Sequence, residues 1–170
     1  MKVLVIVDMQ KDFVDGSLGS KAAEAIVDNV CALIQKEFDR IYVTMDTHGE
    51  DYLDTLEGRY LPVSHCIKNT DGWLLDAKVA KALEGREHTV IEKPTFGSFE
   101  LADQVAADDP DEIVVCGLCT DICVVSNALL LRARCRQKEI IVEAAACAGT
   151  STAKHEAALA VMQSCQIQVH

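Results

Sequence analysis

Basic residues are scarce in this chain. Sixteen Lys and Arg stand against 27 Asp and Glu, for a formal net charge of −11, and no stretch gathers the cations into a patch. A nucleic-acid binder needs such a footprint to displace phosphate counterions, so that partner class is excluded. The acidity itself reads as solubility. Long apolar runs are missing too: none approaches the roughly 18 residues that membrane spanning requires. The opening MKVLVIVDMQ is apolar only as far as Asp8, and no small-residue cleavage site follows. It reads as a buried strand, not a signal peptide. Repeats, low-complexity tracts and a domain linker are also absent, and at 170 residues a single domain over 1–170 is expected. Eight cysteines without a secretory signal point to a reducing, cytoplasmic setting, with most of them acting as small buried apolar residues.

What is present is alternation. The chain is 49% hydrophobic and 25% charged, the profile of a globular protein. Strands are expected at 2–8, 40–46, 88–93, 111–117 and 138–144, with a sixth in the terminal QIQVH. Helices are expected at 22–38, 74–83, 99–106, about 121–136 and 151–164. The strands are rich in Val and Ile and barely alternate, as strands covered on both faces do. The expected fold class is therefore α/β: an open parallel six-stranded sheet with helices on both faces, in three layers. One connection, Thr47 to Gly72, is long, and long loops in compact domains are often functional.

In such a sheet, ligands bind beyond the carboxyl ends of the strands. Asp8 ends the first strand, Asp46 the second (with His48 two residues on), Lys93 the third, and the stretch GLCTDIC follows the fourth. An acid, a cation and a thiol thus meet on one edge although they are far apart in sequence. Cys123 falls in the first turn of a helix, where the macrodipole favours a thiolate, and Lys93 is expected to lower its pKa further. Asp8 is placed to take the thiol proton and return it. This trio suits acyl transfer, with turn N–H groups facing an oxyanion.

Cys116, Cys119 and Cys123 also permit a metal or thiol–disulfide reading. Cys135 and Cys147 supply no matching paired motif, however, and a redox pair gives Asp8 and Lys93 no role. In the long loop, Asp46, His48, Glu57 and His65 make a mixed nitrogen and oxygen set suited to Zn²⁺, Fe²⁺ or Mn²⁺. Residues at i and i+2 of an extended segment share a face, so Asp46 and His48 can meet one ion.

VIVDMQKDF, MDTH, IEKPTFGSF and VVCGLCTDICV together resemble the isochorismatase-like cysteine hydrolases, nicotinamidases most of all, over residues 3 to about 150. The resemblance implies the same fold and a catalytic triad of Asp8, Lys93 and Cys123. It also implies an oxyanion hole from the backbone N–H groups of Cys119 and Cys123, and a cis peptide at Leu118–Cys119. It further implies a divalent ion, zinc first with iron or manganese as alternatives, held by Asp46, His48, Glu57 and His65. Phe13, Leu118 and Phe99 are implied as substrate contacts, and assembly as a dimer or tetramer is expected. The implied activity is hydrolysis of a small-molecule amide, with nicotinamide leading and another amide or N-carbamoyl compound as the alternative. Two features depart from the nicotinamidase pattern. The tryptophan common shortly before the last metal histidine is replaced by Tyr60-Leu61-Pro62-Val63, with the one tryptophan, Trp73, later, and the metal loop lacks the usual third histidine and reads EDYLDTLEGRYLPVSHC.

Overall fold

The Val- and Ile-rich runs form strands that satisfy each other's backbone groups. The computed structural model describes residues 1–170. Six strands, β1 (Lys2–Val7), β2 (Arg40–Asp46), β3 (Thr89–Lys93), β4 (Glu112–Leu118), β5 (Glu139–Ala148) and β6 (Gln168–Val169), make one parallel sheet. Their order is β3-β2-β1-β4-β5-β6. The helices are α1 (Lys11–Val14), α2 (Lys21–Ile34), α3 (Leu56–Tyr60), α4 (Ala77–Leu83), α5 (Phe99–Ala107), α6 (Val125–Arg134) and α7 (Thr152–Ser164). No helix is long and apolar enough to cross a membrane.

Parallel strands need crossovers, and right-handed crossovers put the helices on two faces. α2 packs with α4 on one face, and α5, α6 and α7 pack in a row on the other. α2 shows why the sequence folds locally this way. Ala23, Ile26, Val27, Val30, Leu33 and Ile34 recur at helical spacing and bury one stripe, and the Ser20 hydroxyl caps the start by accepting from Ala23 N at 3.1 Å. Each such Val or Ile contributes about 1.5–3 kcal/mol on full burial. In β1, Val3 to Val7 are wholly buried, which explains their failure to alternate.

Element ends differ from expectation where a side chain competes with the apolar pattern. α2 stops at Ile34 and not at 38, because polar residues Gln35 to Glu37 follow its last buried residue. α4 starts at Ala77 and not at 74, because the Asp76 carboxylate accepts from Lys78 N and Val79 N and fixes the N-cap. β5 runs four residues past 144, with its pairing to β4 shifted between Val115 and Gly117. The helix expected from 121 begins instead as a single wide π turn, Thr120–Val124, that leads into α6.

The strand order reverses between β1 and β4, and that crevice is the expected ligand position. Gly117 makes close approach possible there. Its φ is +119°, and a Cβ on it would lie 2.1 Å from the Val7 carbonyl oxygen.

Candidate active site

Asp8 leaves β1 with a left-handed φ of 48°, a conformation that costs a non-glycine residue about 1 kcal/mol. β2 holds it there. Asp8 N donates to Thr44 O at 3.2 Å, and the Thr44 hydroxyl donates to Asp8 Oδ1 at 2.6 Å. Lys93, at the end of β3, reaches across the sheet edge with only 1% of its side chain exposed. Its Nζ lies 2.6 Å from Asp8 Oδ2, 3.2 Å from Asp46 Oδ1 and 3.5 Å from Cys123 Sγ, and it donates to Thr95 O at 3.0 Å. The three residues read from separate strand ends are thus in one buried cluster.

The electrostatics of this cluster differ from the expectation of a thiolate. Burial pushes the Cys123 thiol well above its ordinary value, Asp8 adds to that, and Lys93 opposes both without overcoming them. Lys93 acts in the expected direction, but desolvation is the larger force. Burial also raises the Asp8 carboxyl, against the pull of Lys93. For Lys93, burial favours the neutral form, yet Asp8, Cys123 and Asp46 together hold its value raised. Burial thus disfavours a thiolate on Cys123, beside a carboxyl and an ammonium 2.6 Å apart.

The turn after β4 presents the sulfur. The Leu118–Cys119 peptide is cis. Ile122 N and Val124 N both donate to Cys119 O, at 3.0 and 3.1 Å, which wraps the turn around Cys119. Cys119 N donates to no carbonyl among the turn and loop hydrogen bonds, so it is free to face an oxyanion. The Cys119 thiol is pushed up to about 12, by burial first and then Asp121, and it lacks the Lys93 contact that Cys123 has. Cys116 is wholly buried, and burial likewise raises it. All eight cysteines are free thiols.

The long loop folds back through a 3₁₀ turn (Tyr52–Asp54) and α3. This brings ligand atoms of Asp46, His48, Glu57 and His65 within 4.8 Å of one another. His48 Nε2 lies 2.9 Å from Asp46 Oδ2 and 3.7 Å from Glu57 Oε1, and His65 Nε2 lies 3.5 and 3.9 Å from the same two oxygens. His65 Nδ1 donates to Val63 O at 2.8 Å, which leaves Nε2 as the free lone pair. Burial, then Asp46, raises the Glu57 carboxyl. Two crowded carboxylates and two imidazoles form a set that a divalent cation satisfies, so the residues fit the ion that the resemblance implies. The Tyr52 ring packs at a steep angle against both imidazoles, with its centroid 4.7 Å from that of His48 and 4.8 Å from that of His65. Its hydroxyl, pushed up to about 12 by burial and then Glu57, donates to Leu61 O at 2.9 Å and stays a phenol.

A cavity of about 510 Å³ joins the two clusters, lined by Asp46, Glu57 and His65 on one side and Leu118, Cys119 and Cys123 on another. Phe13 lines it too, with its ring 5.4 Å from that of His65. Phe99 is a correction: it opens α5 facing solvent, with 77% exposure, and does not line the cavity. Phe96, three residues earlier, takes that wall. Leu61 lines the cavity where a tryptophan is common, and Tyr60 turns outward at 84% exposure. Trp73 lies elsewhere, with Nε1 donating to Thr47 Oγ1 at 2.9 Å.

Sequence reasoning missed the supports. Gln10 is wholly buried, accepts from Asp46 N at 2.7 Å and donates to Asp46 O at 2.9 Å, so it fixes the backbone that carries one carboxylate of the Asp46, His48, Glu57 and His65 cluster. Thr44 lies within the strand expected at 40–46 and its hydroxyl supports Asp8. A hydroxyl inside a buried strand must find a partner, and that requirement was the available signal.

A family model described as the isochorismatase domain matches residues 2–170. The chain is 29% identical over 141 residues to an uncharacterized isochorismatase family protein, PncA, of Bacillus subtilis, covering 75% of this chain and 76% of that protein. The pyrazinamidase/nicotinamidase of Streptococcus mutans superposes with a TM-score of 0.89 at 27% identity, covering 100% of both chains. The pyrazinamidase of Pyrococcus horikoshii in complex with zinc superposes with a TM-score of 0.83 at 26% identity, covering 99% of this chain and 98% of that one.

Proposed function

Because this chain belongs to the isochorismatase family, we propose that it is a cysteine-dependent amidohydrolase that converts nicotinamide and water to nicotinate and ammonia. It is a hydrolase acting on an amide carbon–nitrogen bond. One observation carries the reading: the Asp8, Lys93 and Cys123 cluster and the Asp46, His48, Glu57 and His65 cluster open onto the same cavity. Its volume, about 510 Å³, is in the range of small-molecule sites. Likeness to nicotinamidase and pyrazinamidase structures supports the substrate class.

Asp8 takes the Cys123 proton as Sγ attacks the carboxamide carbon, and Lys93 holds the charge on both partners. The N–H groups of Cys119 and Cys123 are assigned to the oxyanion of the tetrahedral intermediate. As that intermediate collapses, the carbon–nitrogen bond breaks, Asp8 gives its proton to the leaving ammonia, and a thioester remains on Cys123. Asp8 then takes a proton from water, whose oxygen attacks the thioester carbon, and the thiol and nicotinate are released. Phe13, Leu118 and Phe96 pack against the ring. A divalent ion on Asp46, His48, Glu57 and His65 would supply a Lewis-acidic contact that orients a pyridine nitrogen. The zinc complex of the related pyrazinamidase supports zinc, and iron or manganese suits the same donors.

A second reading, another small amide or an N-carbamoyl compound, is favoured by one feature: Leu61 in place of an aromatic wall. The test is ammonia release from nicotinamide beside a panel of small amides and N-carbamoyl compounds. Nicotinamide is expected to give the highest kcat/KM, and no release from it by zinc-loaded protein overturns the first reading. Action in the cytoplasm as a dimer or tetramer belongs to the same proposal. Sedimentation measures the assembly state directly.

A further inference from the structure

We infer that Asn127 is a positioning residue that clamps the nucleophile turn to the aromatic wall of the cavity. Asn127 sits in the first turn of α6 with no exposed surface. Its Nδ2 donates to Cys123 O at 2.8 Å and to Phe96 O at 3.0 Å, and its Oδ1 accepts from Ser98 N at 3.0 Å. The orientation of the amide is fixed by chemistry. The opposite flip sets its oxygen against two carbonyl oxygens and its N–H₂ against an N–H. Both donor hydrogens and the acceptor are therefore committed, one bond to each of three backbone groups.

Those groups belong to two separate parts of the site. Cys123 carries the attacking sulfur, whereas Phe96 is the cavity wall that replaces the expected Phe99. The segment from Phe96 to Ser98 lies between β3 and α5 and belongs to neither, so its position depends on what it is tied to. One buried side chain thus fixes the distance between the wall that seats a substrate ring and the sulfur that attacks beside it. Misplacement of a reacting group by about 1 Å costs up to a hundredfold in rate, so such a tie matters for both binding and chemistry.

The inference rests on the proposed amidase reading for its kinetic part but not for its chemical part. Iodoacetamide modification of Cys123, followed by peptide mass mapping, needs no substrate. In Asn127→Ala the Cys123 modification rate is expected to fall about tenfold as Sγ drifts from Lys93, and nicotinamide KM is expected to rise with a fall in kcat. In a Phe96→Ala background, Asn127→Ala should raise KM no further, because the wall it holds is gone. Ser98→Ala is the structural control: it removes the α5 cap to Leu101 N, a bond of 3.1 Å, without touching the clamp. A modification rate within about twofold of wild type overturns the inference, as does an equal loss in Ser98→Ala at matched melting temperature. If Asn127→Ala does not fold, Asn127→Asp keeps the acceptor for Ser98, loses both donors and carries the same expectations. If wild type leaves nicotinamide intact, the amidase reading falls, while the modification rate still decides the clamp.

Discussion

Lys93→Met removes the one cation of the buried cluster and keeps most of the side-chain length. At 3.5 Å from Sγ, and with an effective dielectric of about 20, an ammonium favours a thiolate by about 4–5 kcal/mol. That corresponds to roughly a thousandfold in rate if the thiolate is the attacking species. The same substitution takes the cation from Asp8, where it opposes the effect of burial, so the carboxyl rises further, holds its own proton at rest and is less available as the ionised base. It also leaves Asp8 and Asp46 buried without their shared partner, which costs about 3–5 kcal/mol of stability. The assay is ammonia release per folded molecule, with the folded fraction taken from a thermal melt. A kcat/KM roughly a thousandfold below wild type is expected. A loss of less than about tenfold per folded molecule refutes the idea that Lys93 stabilises charge on the nucleophile.

Cys123→Ala should abolish turnover while Cys119→Ala largely keeps it, read by the same assay. The reverse result reassigns the nucleophile. Chelation should lower nicotinamide hydrolysis and added Zn²⁺ restore it, with metal content measured by plasma mass spectrometry; His65→Gln should copy the chelated state. The acid limb of kcat/KM should lie above the pH of an ordinary carboxylate. The base must be ionised, burial raises the Asp8 carboxyl, and activity is lost as pH falls through that raised value. Thr44→Val removes a hydrogen bond that lowers Asp8, so its acid limb should move to still higher pH. Gly117→Ala should cost about 3 kcal/mol or more in urea unfolding, because its Cβ meets the Val7 carbonyl and its φ is left-handed.

Much of this architecture was legible because its signals are local. The runs VLVIV and EIVVC need only burial on both faces to become central parallel strands, and parallel strands with helices between them leave few topologies. Asp8, Asp46, Lys93 and Cys123 could be placed together because strand ends in such a sheet share an edge. Phe99 misled because sequence gives a residue's place along a helix but not the face it presents. The cap at Ser98 sets that face, and it sends Phe99 to solvent. Thr44, Gln10 and Asn127 were hidden for a different reason: each acts by satisfying a backbone or carboxylate group contributed by a distant segment.

The protonation state of Cys123 was the least legible feature, and the reason is a count of charges in a closed space. Asp8, Asp46, Lys93 and Cys123 share one buried volume that contains a single cation. Two carboxylates already oppose that cation, so a free thiolate would add a third anion with no new partner, and desolvation keeps the thiol neutral. A helix start and a nearby lysine both point to a thiolate, yet neither reports how many anions the lysine already serves. Moving the thiol proton onto Asp8 changes no net charge in the cluster. It exchanges one anion for another beside the same ammonium, which escapes the Born penalty of burying a new charge. The burial that raises Asp8 thereby makes it a better acceptor for a proton from an equally buried thiol, and the two raised values belong to one proton shared between them. Attack then needs no thiolate at rest, only a carbonyl carbon close enough to Sγ to take its electrons as the proton crosses to Asp8.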